Sequence, residues 1–292
     1  MFEHNREVFN VLRARYAELI KQFATPNWDS VRFEKVAPKE YKIFYCWFQG
    51  KDAMPPLVQC CFNSIKLNAG RREICFIDEQ NFSRYVDLPD HVIDKFRAGK
   101  ISRTHFSDIL RFNLLDQYGG LWLDSTTLVT EPLERYKDFW RMPYYTQKYC
   151  NEKSNDNKYV KAFQCYVSYA RWAGFVQGSS VKHYPLFKFL KEFYDRYWRD
   201  FDQVLDYVLM DFVIDIAYES IPFVHRDMDS VPINNLGIND LVFHLNDPYE
   251  RYPFDKVLKG NFLNKLSWKA PLNDQAEGTV FKEIQKRYGS LR

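Results

Sequence analysis

The chain has 292 residues, of which 46% are hydrophobic and 18% aromatic, so it can bury a sizeable core and is not expected to be disordered. Its formal net charge is only +3 and its basic residues are scattered, which argues against a nucleic-acid-binding protein. No apolar stretch reaches the ~18–20 residues of a membrane span. The first residues lack a signal-peptide pattern. We therefore expect a cytoplasmic protein, and peripheral contact with the inner face of the plasma membrane stays open.

The first predicted element is an amphipathic helix over residues 4–23. Its apolar residues recur at helical spacing, at Val8, Leu12, Tyr16, Leu19 and Phe23. We expect this helix to dock on the rest of the domain, with attachment to a membrane surface as the alternative. Residues 25–40 contain prolines and predict a connector.

Strands and helices then alternate. The predicted elements are a strand at 41–48, a helix opening at Pro55-Pro56, a strand at 73–78, helices at 90–98 and 103–118, and a strand at 121–129. This order predicts an α/β fold with a mostly parallel sheet and helices on both faces. Two of the six cysteines, Cys46 and Cys75, fall in these strands, and we expect them to be buried, reduced thiols. No cysteine or histidine spacing is typical of a zinc site.

The pattern is less regular after residue 130. Residues 183–220 are largely helical and rich in aromatic side chains, and 231–292 return to loops and short helices. No repeat or linker divides the chain, so we expect a single domain over 1–292.

Three predicted strands end in polar loops, at Gln49-Gly50-Lys51, Asp78-Glu79-Gln80 and Asp124-Ser125-Thr126. Ligands of open α/β sheets bind outside the carboxyl ends of the strands. The chain contains neither a GxGxxG fingerprint nor a P-loop. The sequence therefore predicts a ligand site at this edge without either standard phosphate-binding motif.

The helix at 103–118 has one polar side, formed by Ser107, Asp108 and Arg111. Asp108 and Arg111 are three residues apart and can pair. The pair could simply orient a buried helix, or it could hold a sugar hydroxyl or ribose with its spare hydrogen-bonding capacity, and both can be true.

Asp124 follows an apolar strand and precedes two hydroxyls. A hard carboxylate beside hydroxyl groups suits Mg²⁺ or Mn²⁺, so Asp124 and Thr126 are candidate metal ligands, although a strand-end aspartate can also serve only to turn the chain. The two glycines before the strand, Gly119-Gly120, allow positive φ and suggest tight packing next to the site.

The motifs Ser107-Asp108-Ile109-Leu110-Arg111 and Tyr118-Gly119-Gly120-Leu121-Trp122-Leu123-Asp124 resemble the signature of the capsular-polysaccharide-synthesis glycosyltransferases. That family belongs to the group with a DXD sugar-binding region, related to initiating α-mannosyltransferases. Residues 42–50, Leu88-Pro89, 100–102 and 265–269 extend the resemblance.

The resemblance implies a GT-A-type, Rossmann-like nucleotide-binding sheet and a helical acceptor half. The expected organisation is an N-terminal helix and connector (1–40), a nucleotide-sugar-binding half (41–133), and an acceptor half with a closing segment (134–292). The implied donor is a nucleoside-diphosphate sugar, with UDP favoured and GDP possible, and the implied acceptor is a glycan or lipid-linked glycan. The expected donor-binding residues are Trp47, Gln49, Asp78, Ser107, Asp108, Arg111, Gly120, Thr126, Lys265 and Lys269.

The chain departs from the family pattern at Thr126, where DXD has its second acid. Mn²⁺ or Mg²⁺ would then be held by Asp124 and the Thr126 hydroxyl. Alternatively, the diphosphate would bind Lys265, Lys269 or Arg111 through charge-assisted hydrogen bonds.

The implied reaction is glycosyl transfer through an oxocarbenium-like transition state. An inverting enzyme needs a carboxylate base, for which Asp206 and Asp211 are the candidates beside Asp124 in the catalytic set. The related mannosyltransferases are retaining, and the leaving phosphate can then take the proton. The alternatives are a non-catalytic nucleotide- or glycan-binding protein on a degenerate scaffold and, more remotely, a sugar-phosphate transferase.

Overall fold

A computed structural model describes residues 2–151, 167–258, 260–273 and 275–290. Cys165 lies outside these ranges, and the five cysteines within them are buried. The helices of the described ranges are α1 (Phe2–Arg15), α2 (Ala17–Ala24), α3 (Pro56–Asn68), α4 (Asp90–Arg97), α5 (Arg103–Tyr118), α6 (Asp138–Arg141), α7 (Pro185–Asp200), α8 (Leu209–Ser220), α9 (Pro222–Ser230), α10 (Phe254–Val257) and α11 (Val280–Tyr288). The strands are β1 (Ile43–Cys46), β2 (Ile74–Ile77), β3 (Gly120–Leu123), β4 (Thr127–Val129), β5 (Tyr145–Thr146), β6 (Val176–Ser179) and β7 (Leu263–Lys265).

The central sheet has the strand order β2-β1-β3-β6-β5. Strand β1 pairs in parallel with both β2 and β3, whereas β6 is antiparallel to β3 and to β5. The α/β class is confirmed, but the prediction of a mostly parallel sheet holds only for the first three strands. Strands β5 and β6 come from a segment without a regular helix–strand alternation, so the sequence pattern did not reveal their pairing.

Helices cover both faces of this sheet. Phe44 packs against Tyr118 of α5, and the next residue, Tyr45, packs against Phe62 of α3. Because successive side chains of a strand point to opposite faces, α5 and α3 lie on opposite sides of β1. This arrangement confirms the predicted helical layers.

The predicted strand at 121–129 is two strands in two sheets. β3 ends at Leu123, the chain turns at 124–126, and β4 pairs with β7 in a separate antiparallel sheet. The Thr127 amide closes the turn by donating to the Asp124 carbonyl at 2.9 Å. The break leaves Asp124 at the carboxyl edge of the central sheet. Because β4 pairs with β7, it also places β7 beside the turn at 124–126.

The predicted helix at 4–23 is also divided, at Tyr16, and both parts dock on the domain. Tyr16 packs on Phe193 of α7 and Phe9 packs on Phe212 of α8, at ring-centroid distances of 4.4 and 4.9 Å. The docking interpretation is therefore confirmed. Within the described ranges, no helix combines the length and apolarity needed to cross a membrane.

Gly120 is placed away from the predicted site. It opens β3 with φ +95°, and a Cβ there would lie 2.6 Å from the Lys42 carbonyl oxygen of the neighbouring chain segment. Asp124 follows the opposite end of the same strand. The structure therefore does not bring Gly120 to the carboxyl edge of the sheet, and this glycine serves the close approach of two backbones.

Candidate functional site

A cavity of about 610 Å³ opens at the carboxyl ends of β1 and β3. We call it the central cavity. Its size falls within the range of ligand pockets. Strands β1 and β3, helices α5 and α8, and the segment that follows β7 all contribute side chains. Ten of the residues singled out in the sequence line it: Trp47, Gln49, Ser107, Asp108, Arg111, Asp124, Thr126, Asp211, Lys265 and Lys269.

Asp124 is the most heavily bonded acid of the central cavity. Its Oδ1 accepts hydrogen bonds from Trp122 Nε1 at 2.9 Å and from Arg111 Nη2 at 3.2 Å, and its Oδ2 accepts one from Lys265 Nζ at 2.9 Å. Burial by itself would raise the pKa of Asp124, but Lys265 and Arg111 outweigh it and hold the pKa below its ordinary value. Asp124 is therefore an ionised carboxylate that organises two cations.

Arg111 joins the helix to the strand end. Its Nη1 lies 3.1 Å from Asp108 Oδ1 and its Nη2 lies 3.2 Å from Asp124 Oδ1, while its guanidinium carbon lies 4.9 Å from the Trp122 ring. The side chain is only 4% exposed. A planar guanidinium can bind two carboxylates at once, so Asp108 and Asp124 are fixed relative to each other.

Asp108 differs from Asp124 in its protonation. Burial raises the pKa of Asp108 to about 6, and the opposing attraction of Arg111 only partly offsets that cost. The expected pair of Asp108 and Arg111 is present. The site thus contains one carboxylate that is held ionised and another that gains a proton in mildly acidic solution.

Asp211 lies in the first turn of α8 and faces the same cavity. Its Oδ1 accepts a hydrogen bond from Trp172 Nε1 at 3.0 Å. Burial raises the pKa of Asp211 to about 7; the Trp172 bond opposes this shift, and the nearby charges of Asp108 and Asp215 add to it. A carboxyl group that titrates near neutral pH in a cavity is a candidate for proton or charge chemistry.

The remaining two predicted acids lie elsewhere. Asp206 is in the loop before α8, where its carboxylate bonds to His4 Nε2 at 2.7 Å and accepts from the Val208 amide at 2.9 Å. Asp78 accepts from the amides of Gln80 and Asn81 and lines a separate depression beside Gln49. The structure brings neither residue to the central cavity: Asp206 bonds to α1 through His4, and Asp78 bonds within its own loop.

Several lining residues were not candidate site residues in the sequence, although Trp268 lies within the 265–269 motif. Gly174 packs so closely that an added Cβ would overlap Met210 Cε and lie 3.3 Å from Arg111 Nη1. Tyr207 and Trp268 also line the cavity, and their large exposed fractions, 70% and 44%, mark them as aromatic surfaces open to solvent. Exposed aromatic rings at a pocket are typical of binding surfaces. Their positions in irregular segments explain why no periodic pattern revealed them.

The predicted metal ligands do not fit a divalent cation. Lys265 Nζ donates to Asp124 Oδ2 and to Thr126 Oγ1, so the ammonium already joins both proposed ligands. Across the described part of the chain, no group of three or more histidine, cysteine, aspartate or glutamate side chains could hold a metal ion. A divalent ion at this pair would have to compete with the Lys265 ammonium for Asp124 Oδ2 and Thr126 Oγ1.

The fold and the cavity define an α/β protein with a polar, aromatic-lined cavity at the carboxyl ends of parallel strands. A model of the family described as capsular polysaccharide synthesis protein matches residues 1–284. The chain belongs to this family, which confirms the resemblance seen in its motifs.

No curated protein sequence matches the chain significantly. Among solved structures, it is similar to the apo form of the glycosyltransferase GlyE from Streptococcus pneumoniae TIGR4, with 11% identity and a TM-score of 0.45. That match covers 86% of this chain, which spans 60% of the length of GlyE. The galactosyltransferase LgtC, in complex with donor and acceptor sugar analogs, has 14% identity and a TM-score of 0.39, with 86% and 97% of the two chains covered.

Proposed function

We propose that this protein is a hexosyltransferase. It transfers a sugar from a nucleoside-diphosphate donor, UDP favoured and GDP possible, to a growing surface glycan of the capsule or lipopolysaccharide type. The main support is the convergence of ten residues, selected from separate sequence motifs, on one cavity of about 610 Å³. Membership of a capsular polysaccharide synthesis family supports the same substrate class.

The donor side of the proposal rests on the cations of the cavity. Arg111, Lys265 and Lys269 line it together, and Lys265 and Arg111 are held at the Asp124 carboxylate. Charge-assisted hydrogen bonds from such groups would bind the diphosphate and stabilise the negative charge that develops on it as the glycosidic bond breaks. Trp47, on the β1 side, would line the nucleoside part of the pocket.

The acceptor side rests on aromatic rings and on Asp211. Tyr207 and Trp268 expose flat faces that suit stacking against sugar rings.

We propose transfer with retention, in which the leaving phosphate takes the acceptor proton and ionised Asp211 stabilises the oxocarbenium-like centre. In an inverting reaction, Asp211 would take that proton directly. NMR analysis of the anomeric configuration of the product distinguishes the two courses.

The test is a panel of sugar nucleotides incubated with the purified protein. We expect slow donor hydrolysis without acceptor, with nucleoside diphosphate as the released nucleotide. Asp124→Ala should abolish hydrolysis, because Arg111 and Lys265 lose the carboxylate that positions them. Asp94→Ala, at an exposed position of α4, is the matched control and should retain full activity.

Three results would contradict this proposal. Nucleotide binding without turnover of any donor would favour a non-catalytic binding protein. Release of nucleoside monophosphate would indicate a sugar-phosphate transferase. Full turnover by Asp124→Ala would show that the active site lies elsewhere.

A further inference from the structure

A lysine ammonium occupies the space between the two polar side chains of the Asp124–Thr126 turn. Lys265 Nζ lies 2.9 Å from Asp124 Oδ2 and 2.8 Å from Thr126 Oγ1. We propose that Lys265 Nζ replaces a divalent metal ion as the diphosphate-neutralising cation of this site, so that donor binding needs no metal. This inference rests on the proposed function, since it concerns how the same site holds a nucleoside diphosphate.

The ligand set favours an ammonium over a metal ion. A hydroxyl at Thr126 is a neutral and weaker metal ligand than a carboxylate, but it accepts a hydrogen bond from an ammonium without difficulty. The other oxygen of the carboxylate, Asp124 Oδ1, already accepts hydrogen bonds from Trp122 and Arg111. A metal ion could bind Asp124 only after Lys265 had moved, because two cations would otherwise share one carboxylate oxygen.

The backbone fixes Lys265 at this position. In the β4–β7 ladder, Lys265 is directly opposite Thr127, the residue that follows the turn. The Leu266 amide donates to the Thr126 carbonyl at 2.8 Å, and the Lys265 amide donates to the Ile238 carbonyl at 2.7 Å. The ammonium is therefore positioned before any ligand arrives, as electrostatic stabilisation of a transition state requires.

The charges at the turn balance without a metal ion. Asp108, Asp124, Arg111 and Lys265 together are neutral when both acids are ionised, as is a divalent ion on two carboxylates. Lys265 Nζ has three donors, and two of them bond to Asp124 and Thr126. The third can bond to a phosphate oxygen in the cavity, where Lys269 supplies a further positive charge.

The first experiment is isothermal titration calorimetry of the full chain with UDP, GDP, ADP and dTDP, each in EDTA and in Mn²⁺. We expect one of these nucleotides to bind with dissociation constants that agree within about twofold between EDTA and Mn²⁺, since the cation is part of the chain. Binding that occurs only with Mn²⁺ would overturn the metal-free inference and leave the proposed function intact. Failure of all four nucleotides to bind under both conditions would overturn the proposed function itself.

The second experiment removes the Lys265 ammonium. Lys265→Ala should weaken nucleotide binding about tenfold or more in EDTA, as expected for the loss of a charge-assisted hydrogen bond. Lys256→Ala, an exposed lysine outside the cavity, is the control and should bind like the wild type. Circular dichroism and the thermal midpoint of each variant report its folding.

The double variant Thr126→Asp with Lys265→Ala removes the ammonium and adds the second acid. We expect it to bind the nucleotide at least about tenfold more tightly in Mn²⁺ than in EDTA, because two carboxylates now flank the vacated position. If this folded variant remains indifferent to Mn²⁺, the ammonium does not occupy a metal-equivalent position and the inference is wrong.

Discussion

The acids of the central cavity differ in pKa because their surroundings differ. Asp124 lies between two cations and has a lowered pKa, whereas burial raises the pKa of Asp211 to about 7. Two carboxyl groups with such different environments can perform different tasks at neutral pH. In the proposed reaction, Asp124 positions the cations and Asp211 acts on the sugar centre.

Asp211→Asn removes the charge that Asp211 carries when it is ionised. We expect kcat to fall about 100-fold or more, while nucleotide binding changes little, because the lost charge acts only in the transition state. In the wild type, kcat/KM should decline as pH falls through about 7, where Asp211 gains a proton. The variant should lose this limb of the pH profile. An unchanged limb would show that another group titrates.

The same variant should affect stability in the opposite direction. The folded pKa of Asp211 is above the ordinary aspartate value, so the native state binds the proton more tightly and loses stability as pH rises from that ordinary value up to about 7. The asparagine side chain of the variant cannot ionise. Thermal unfolding at pH 5 and pH 8 should therefore show that Asp211→Asn gains midpoint temperature over the wild type at pH 8 and gains less at pH 5.

At the scale of elements, each end of strand β3 has its own requirement. The start needs a close approach to the neighbouring chain segment, and the end needs a turn that directs Asp124 into the cavity. The turn at 124–126 delivers Asp124 to the cavity, and the start at Gly120 lets β3 pair with β1 without a side chain between the backbones. The two features lie at opposite ends of the four-residue strand. A change at the far end of β3 can therefore disturb the sheet without touching the site.

Gly120→Ala tests this close approach. Its φ of +95° and the 2.6 Å distance from the new Cβ to the Lys42 carbonyl oxygen should together cost about 2 kcal/mol or more of unfolding free energy. Gly99→Ala is the matched control, since Gly99 also has positive φ, +72°, but a Cβ there meets nothing within 4 Å. Its cost should be only about 1 kcal/mol in urea unfolding. Equal costs would show that φ alone matters at Gly120.

At the scale of the whole molecule, the two N-terminal helices support the half of the protein that contains Asp211. α1 and α2 pack on α7 and α8 through aromatic contacts such as Phe9 with Phe212 and Phe23 with Phe189. Helix α8 holds Asp211 in its first turn. The N-terminal helices are therefore part of the core that fixes one wall of the central cavity.

Two adjacent residues of α1 test this role. Leu12 is fully buried, so Leu12→Ala should lower the unfolding free energy by about 2–4 kcal/mol through the cavity it leaves. Val11 is 43% exposed, and Val11→Ala should change stability by less than about 0.5 kcal/mol. Similar small effects in urea unfolding would mean that α1 is not part of the cooperative core.

The sequence by itself determined the local features. Apolar spacing, proline and glycine positions, and aromatic or β-branched content predicted α3, α4 and α5 and the strands β1–β3, and the polar residues after those strands drew attention to Asp124 and Thr126. The predicted elements are confirmed, because helices and strands depend on interactions between residues near in sequence. The family motifs added Lys265, which lies 141 residues from Asp124 and had no local pattern of its own.

Only the tertiary structure decided which of these groups meet. It brought Asp211 to the cavity and left Asp206 in an outer loop, although the two acids are five residues apart. It also divided the strand at 121–129, so that β4 pairs with β7 and Lys265 bonds to both Asp124 and Thr126. Such long-range contacts depend on the packing of distant segments, which side-chain periodicity within one segment does not encode.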